Sequence, residues 1–112
     1  MDTDLNHVTL TGTLERDPMT RFADHGAQQV SFTLRLTEAG PAGQEFKLYV
    51  PCEAYGQTGE QAGEFSAGDA VLVAGKLKWT SYTAKDGIKK SNLCVLARVV
   101  KRLAPAAVEG HA

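Results

Sequence analysis

The sequence predicts an all-β domain, a five-stranded barrel with one short helix between the third and fourth strands. Apolar residues alternate with polar ones at period two along five separate segments, so each segment has one apolar face. The segments are rich in valine, threonine and aromatic residues, which favour strands. Only residues 56–65 depart from this alternation. With 112 residues, the chain can build one modest core but not two.

Turn signals and one helix-like stretch complete the predicted order. Asp17-Pro18 ends the first strand, and Asp86-Gly87 predicts a hairpin before the last one. Residues 56–65 predict a short helix, after which Phe65 plugs the barrel. This order is that of the oligonucleotide-binding (OB) fold, whereas a seven-stranded β-sandwich does not fit. The predicted strands are residues 8–14, 30–37, 46–52, 71–77 and 93–99.

Composition narrows the class of protein. At 43% hydrophobic and 22% charged residues, the chain is ordinary for a globular domain, and its apolar runs are too short for a transmembrane helix. Because the N-terminus is acidic and no apolar segment follows it, we expect no secretory signal. Cys52 and Cys94 are far apart with no clustered histidines, so we expect buried thiols, no metal site and a reducing cytoplasm. We expect an OB domain over residues 1–104 and a short flexible tail over residues 105–112.

The charges are unevenly distributed although the net charge is only −1. Residues 1–75 carry four basic and eleven acidic side chains, whereas residues 76–102 carry eight basic side chains against Asp86 alone. Such a distribution can build a polyanion-binding face on a protein that is not basic overall. A solvated surface with lysines for solubility is the alternative on charge alone.

The most informative segment is the predicted hairpin over residues 76–90, where basic and aromatic residues interleave around the Gly87 turn. Sequence-independent binding of single strands needs cations for the phosphates and flat aromatics for the bases. Trp79 is a candidate base platform, with a core aromatic at the barrel end as the alternative. Tyr49 lies on the polar face of the third strand beside Lys47, where an aromatic is more often a stacking residue. Lys47 and Arg35 are candidate phosphate ligands or simply solubilising charges.

Residues 6–22 carry a series of spaced motifs, Asn6-x-Val8, Gly12-x-Leu14, Asp17-Pro18 and Arg21-Phe22. With these motifs and with residues 30–34, 49–56 and 68–77, the chain resembles the bacterial single-stranded DNA-binding protein (SSB) family over about residues 5–103. The resemblance implies that Tyr55, in an aromatic-Gly pair, and Tyr82, in the place of a family tryptophan, stack on bases. The candidate DNA-binding residues are Arg35, Lys47, Tyr49, Tyr55, Lys76, Lys78, Trp79, Tyr82, Lys85, Lys89 and Lys90.

The chain also departs from the family pattern. Ala39 and Gly40 stand where the family usually has a tryptophan, and tyrosines stand at two other tryptophan positions, 49 and 82. A weaker stacking site is therefore expected. The sequence lacks the family's glycine-rich linker and acidic C-terminal tip, which fits either a short specialised paralogue or a trimmed chain.

The resemblance further implies self-association through the first strand. Family members pair this strand with its own copy, so we expect a homotetramer, with a homodimer as the alternative. The segment has no proline and few charges, which suits an edge that pairs. The candidate interface residues are Leu5, Asn6, His7, Val8, Thr9 and Leu10.

The function predicted from these residues is non-catalytic coating of single-stranded DNA in replication, recombination or repair. His7, His25 and His111 are scattered, neither cysteine lies near a histidine in sequence, and no metal-ligand spacing or phosphate loop is present, so we expect neither an enzyme nor a cofactor. The alternative is a primosomal replication-restart-type OB protein that binds single strands and partner proteins. Replication or repair proteins are further candidate partners. We expect no membrane partner, and we expect the protein in the cytoplasm at the nucleoid.

Overall fold

The computed structural model describes residues 4–22 and 26–106, and in these ranges the chain forms six strands and one helix. His25 and residues 107–112 of the predicted tail lie outside the described part. The elements are β1 (Val8–Leu14), β2 (Met19–Phe22), β3 (Gln28–Ala39), β4 (Glu45–Tyr55), α1 (Gly56–Gly63), β5 (Ala70–Thr83) and β6 (Lys89–Ala104).

Five of the strands close into a ring in the order β1–β5–β6–β4–β3, and β3 returns to β1 through Thr13 and Leu14. All neighbours are antiparallel except β4 and β6, which run parallel where Cys52 lies opposite Val95. Along the chain, α1 lies between β4 and β5, which are the third and fourth of the five ring strands in sequence order. The predicted five-stranded OB barrel with one short helix is therefore confirmed.

The short strand β2 is the element that the sequence did not predict. Residues Met19–Phe22 pair antiparallel with Gln28–Ser31 of β3, just after Asp17-Pro18 interrupts β1. All four residues of β2 are exposed, so backbone pairing rather than burial of a face holds the strand. A strand without a buried face leaves no period-two signal in the sequence.

Most of the core consists of inward side chains that the alternation predicted. Leu14, Val30, Leu34, Val73 and Val95 are fully buried. Below α1, Phe65 is buried edge-on against Phe32, with the ring centroids 6.3 Å apart. Phe65 thus occupies the predicted place in the barrel.

The last strand is an exception to the predicted core, because its alternation places Val99 inward, whereas Val99 is 54% exposed and Val100 is buried. The β5–β6 pairing shifts between Ala74 and Gly75, which leaves Arg98 as an extra residue and reverses the alternation after it.

Both cysteines are buried free thiols, as expected from the sequence. Burial and, to a smaller degree, the neighbouring Cys94 raise the pKa of Cys52 to about 12. Burial and the carboxylate of Glu53 raise the pKa of Cys94 as well. Since only the thiolate is a strong nucleophile, both groups are chemically quiet at neutral pH.

Two glycines shape the strands that carry the candidate site. Gly56 turns the chain from β4 into α1 with a φ of +60°, a region that side chains with a Cβ rarely adopt. Gly75 follows an irregularity in the β5–β6 pairing, and a Cβ there would collide with the carbonyl oxygen of Leu96. The positive φ at position 56 and the close approach of Leu96 at position 75 therefore both favour glycine.

One buried carboxylate fixes the start of β5. Asp69 is only 2% exposed and accepts hydrogen bonds from the backbone N–H of Ser66 and of Ala106, each at 2.8 Å. Its Oδ2 also pairs with Nε of Arg102 at 2.9 Å. Asp69 thereby joins the loop after α1 to β6 and to the residues that follow β6.

Candidate nucleic-acid interface

The outer face of β4 carries two exposed tyrosines. Cys52 and Ala54 alternate toward the core, so Tyr49 and Tyr55 point away from it, and Tyr49 is 56% exposed. Tyr55 is the last residue of β4, directly before the Gly56 turn. Flat aromatic rings presented outward from a strand are suitable platforms for stacked bases.

A network of hydrogen bonds connects Tyr55 to a lysine of β5. Nζ of Lys78 lies 3.1 Å from Oε2 of Glu53 and 3.2 Å from the hydroxyl oxygen of Tyr55. The Tyr55 hydroxyl donates to the same Oε2 at 3.4 Å, and the ammonium lies 5.3 Å from the centre of the Tyr55 ring. The hydrogen bonds to Glu53 and Tyr55 together raise the pKa of Lys78, which therefore stays charged at neutral pH.

A groove of about 320 Å³ lies beside this network. Its walls come from β3, β4 and the β5–β6 hairpin, with Arg16 near the end of β1. Among its lining residues are Arg16, Ser31, Thr33, Glu53, Thr80 and Asn92. The groove brings polar side chains from four parts of the chain next to the Tyr55–Lys78 network.

The β5–β6 hairpin places Trp79 on its other face. Lys78 pairs with Cys94 and Thr80 with Asn92, whereas the intervening Trp79 pairs with Leu93. Trp79 is 65% exposed, so the alternative of a core aromatic is wrong. The hairpin thus offers a polar face toward the groove and an exposed apolar face with Trp79 on the opposite side.

The remaining candidates on this hairpin lie at and near its tip. Lys85, Lys89 and Lys90 are exposed around the predicted turn, where the Ile88 N–H donates to Asp86 at 3.0 Å. Tyr82 lies opposite Lys90, and its side chain lies outside the described part of the structure. The tip concentrates positive charge at the end of a projecting hairpin.

Three further cations occupy different surroundings. Arg35 forms a half-exposed ion pair with Glu15 at 3.3 Å, so its charge is already compensated within the chain. Lys47 is exposed on the β3–β4 hairpin, on the same side of β4 as Tyr49. Lys76 lines a second depression of about 320 Å³, together with His7 and Arg98. The structure therefore leaves Lys47 in the position best suited to accompany Tyr49.

The first strand has one edge paired and one edge open. Val8–Thr13 pair with β5, and within residues 4–22 and 26–106 only Thr13 and Leu14 have a strand on the other side, β3. The Asn6 amide donates to the carbonyl of Leu77 at 3.0 Å and accepts from its N–H at 2.8 Å, which prolongs the contact with β5. The other candidate interface residues are the exposed Leu5, His7 and Thr9 and the partly buried Val8 and Leu10.

Comparison with known proteins identifies the family to which this barrel and its exposed aromatics belong. Residues 5–103 match the single-strand binding protein family. The chain belongs to this family. This membership confirms the resemblance that the sequence motifs indicated.

Several relatives are 30–33% identical to the chain over the aligned residues. The single-stranded DNA-binding protein of Thermus thermophilus is 31% identical over 98 residues, which are 88% of this chain and 37% of that protein. The corresponding protein of Clostridium perfringens is 33% identical over 92 residues, covering 77% of this chain and 57% of the relative. Single-stranded DNA-binding protein 3 of Clostridium acetobutylicum is 30% identical over 102 residues, covering 88% and 71%. The chain thus spans between about a third and three fifths of the first two relatives.

Glu53 belongs to this candidate interface but was not predicted from the sequence. The alternation along β4 could have identified it, because residues 49, 53 and 55 are all odd-numbered positions of β4 and therefore share one face. Its partner Lys78 lies 25 residues away, and only the barrel closure brings the two together.

The described part of this SSB-family chain holds neither a metal-binding cluster nor a membrane-spanning helix. Among residues 4–22 and 26–106, no group of three or more histidine, cysteine or acidic residues is arranged to hold a metal ion. Over the same residues, no helix is both long and apolar enough to cross a membrane.

Proposed function

We propose that the chain binds single-stranded DNA without catalysing a reaction, and that it coats and protects exposed strands in replication, recombination or repair. The observation that carries this proposal is the outer face of β4, where Tyr49 and Tyr55 point outward and Lys78 lies against the Tyr55 ring. The names of the relatives, each a single-stranded DNA-binding protein, support it.

The proposed mechanism is stacking combined with charge neutralisation. Bases stack on Tyr49 and Tyr55, each contributing about 1–3 kcal/mol. The sugar–phosphate backbone follows the groove toward the lysines of the hairpin tip, which displace counterions from the strand. Trp79 faces away from Lys78 on the hairpin, so a strand reaches it only by passing around β5 and β6. No bond is made or broken, and the bound bases are held unpaired.

Self-association through β1 is the second part of the proposal. The edge of β1 opposite β5 pairs with the same edge of a second copy, which adds an isologous two-fold contact. We propose a homotetramer built from two such dimers, because one OB fold covers only about 4–16 nucleotides and joined copies cover more. The assembly acts at the nucleoid, with replication or repair proteins as further partners.

Equilibrium binding to matched oligonucleotides tests the proposal. Fluorescence anisotropy of a labelled oligo-dT should rise on addition of the protein, with an affinity that falls steeply as salt increases. A labelled duplex of the same length is the control, because its stacked bases cannot reach the tyrosines and it should bind much more weakly. Equal affinity for both, or no binding to the single strand, would refute the proposed function.

A further inference from the structure

A carboxylate occupies the centre of the proposed DNA-binding face. Glu53 lies on the outer face of β4 between the two tyrosines, and its side chain is 17% exposed. Oε1 accepts a hydrogen bond from Nε2 of Gln29 at 3.1 Å, and Oε2 accepts from Lys78 and Tyr55. A negative charge repels phosphates, so a carboxylate at this point of the surface opposes the binding of a DNA strand.

The pairing of Glu53 changes what Lys78 offers to a strand. The pair is net neutral, and its partial withdrawal from water weakens screening by salt relative to a fully exposed pair. The Glu53 carboxylate lies 3.1 Å from the Lys78 ammonium. A phosphate that approaches Lys78 must either displace this carboxylate or bind next to its negative charge. Lys78 therefore contributes less to binding than its distance from the Tyr55 ring suggests.

We propose that Glu53 limits the affinity of the chain for single strands by neutralising Lys78 within the binding face. This inference rests on the proposed function and adds to it a residue that sets how tightly strands are held. Glu53 also favours release of the DNA, because a phosphate bound at Lys78 competes with the carboxylate of Glu53 for the same ammonium group. Weaker retention makes a coating protein easier to displace.

Removal of the negative charge alone tests the inference. Glu53→Gln retains the side-chain length and one oxygen that accepts from Lys78 and Tyr55, but leaves the ammonium uncompensated. One newly available cation makes the slope of log K against log salt more negative by about 0.7, which is about a fivefold gain in oligo-dT affinity at 0.1 M salt relative to 1 M. Glu60→Gln is the matched control, because Glu60 is exposed on α1 and its removal changes the net charge equally. This control should shift the slope by much less.

A double-variant cycle separates charge from positioning. Lys78→Gln should weaken binding about fivefold, since it leaves Glu53 unpaired. The combination of Glu53→Gln and Lys78→Gln restores neutrality and should return both the affinity and the salt slope to those of the parent. If the pair serves only to position Tyr55, each single variant and the double variant bind more weakly than the parent, which would overturn the inference.

A second variant that removes the charge of Glu53 keeps the test valid if Glu53→Gln does not fold properly. Glu53→Thr introduces a residue that strands favour and should also tighten binding and steepen the slope. Circular dichroism melts establish that each variant is folded before its binding is compared. If the parent binds oligo-dT and neither variant tightens, the inference alone fails. If the parent does not bind oligo-dT, the proposed function fails and the inference with it.

Discussion

Replacing Asp69 with alanine should destabilise the barrel strongly although the side chain is small. The carboxylate is buried and receives three hydrogen bonds, from the N–H groups of Ser66 and Ala106 and from Arg102, all within 2.9 Å. Hydrogen bonds to charged groups contribute about 1.5–3 kcal/mol each, and removing one partner of an ion pair that is buried on both sides costs about 3–5 kcal/mol. Because the Arg102 side chain is 42% exposed and water can reach Ser66 once the carboxylate is gone, the lower end, about 3 kcal/mol, is expected.

Thermal unfolding followed by circular dichroism measures this loss. At about 4–8 °C per kcal/mol for a domain of 60–100 residues, Asp69→Ala should lower Tm by roughly 12–24 °C. Asp86→Ala is the control, because Asp86 is exposed and accepts one backbone hydrogen bond in a turn. The control should cost no more than about 0.5 kcal/mol.

The pH dependence gives a second check on the same carboxylate. Burial by itself raises the pKa of Asp69, but the N–H groups of Ser66 and Ala106 and the guanidinium of Arg102 outweigh it, so the pKa lies below its ordinary value. A carboxyl group with a lowered pKa stabilises the fold above its unfolded pKa of about 3.9, and this stabilisation disappears as the pH falls through the folded pKa. The Tm difference between parent and Asp69→Ala should therefore be constant from about pH 5 to 7 and shrink below about pH 4. If the Tm of Asp69→Ala lies within about 2 °C of that of the parent at pH 7, or if the difference persists unchanged at low pH, the ionised Asp69 carboxylate does not stabilise the barrel.

Three further predictions concern the binding face and the β1 edge. Tyr49→Ala and Tyr55→Ala should each cost about 1–3 kcal/mol in oligo-dT affinity by fluorescence anisotropy, and parent-like binding by both would show that the face is wrong. Reversing the charges of Lys89 and Lys90 should flatten the salt slope by about 0.7 for each phosphate that the tip no longer neutralises, whereas an unchanged slope would exclude the hairpin tip from the interface. Val8→Pro should shift the assembly toward the monomer in sedimentation equilibrium at micromolar protein. A parent that sediments as a clean 12.0 kDa monomer would contradict the proposed assembly.

Period-two alternation was sufficient to predict the barrel strands and most of the core. It could not show where the barrel ends, because Leu48 and Leu77 continue the apolar parity of β4 and β5 yet are about 45% exposed. Both lie where the β3–β4 and β5–β6 hairpins extend past the barrel. The apolar alternation therefore continues into residues that the barrel no longer buries. The same limit applies to Trp79, which follows the inward parity of β5 but is exposed.

The candidate site was predictable to the extent that it depends on parity within one strand. The outward position of Tyr49 followed from alternation along β4, and the structure agrees. The ion pairs of Arg35 with Glu15 and of Lys78 with Glu53 depend on which strands become neighbours, and on side-chain reach across them. Neither is encoded in a local pattern, so the sequence could name the cations but not which of them are compensated.

A single DNA strand is proposed to bind across the outer face of β4 and the β5–β6 hairpin. Titration of the ¹⁵N-labelled protein with oligo-dT, followed by ¹H–¹⁵N correlation spectra, maps this surface because each backbone amide reports separately. The largest shifts should occur at Tyr49, Glu53, Tyr55 and Lys78 and along the hairpin tip, and a duplex of equal length should leave these amides nearly unchanged. Shifts confined to other surfaces, or equal shifts with the duplex, would contradict this binding surface.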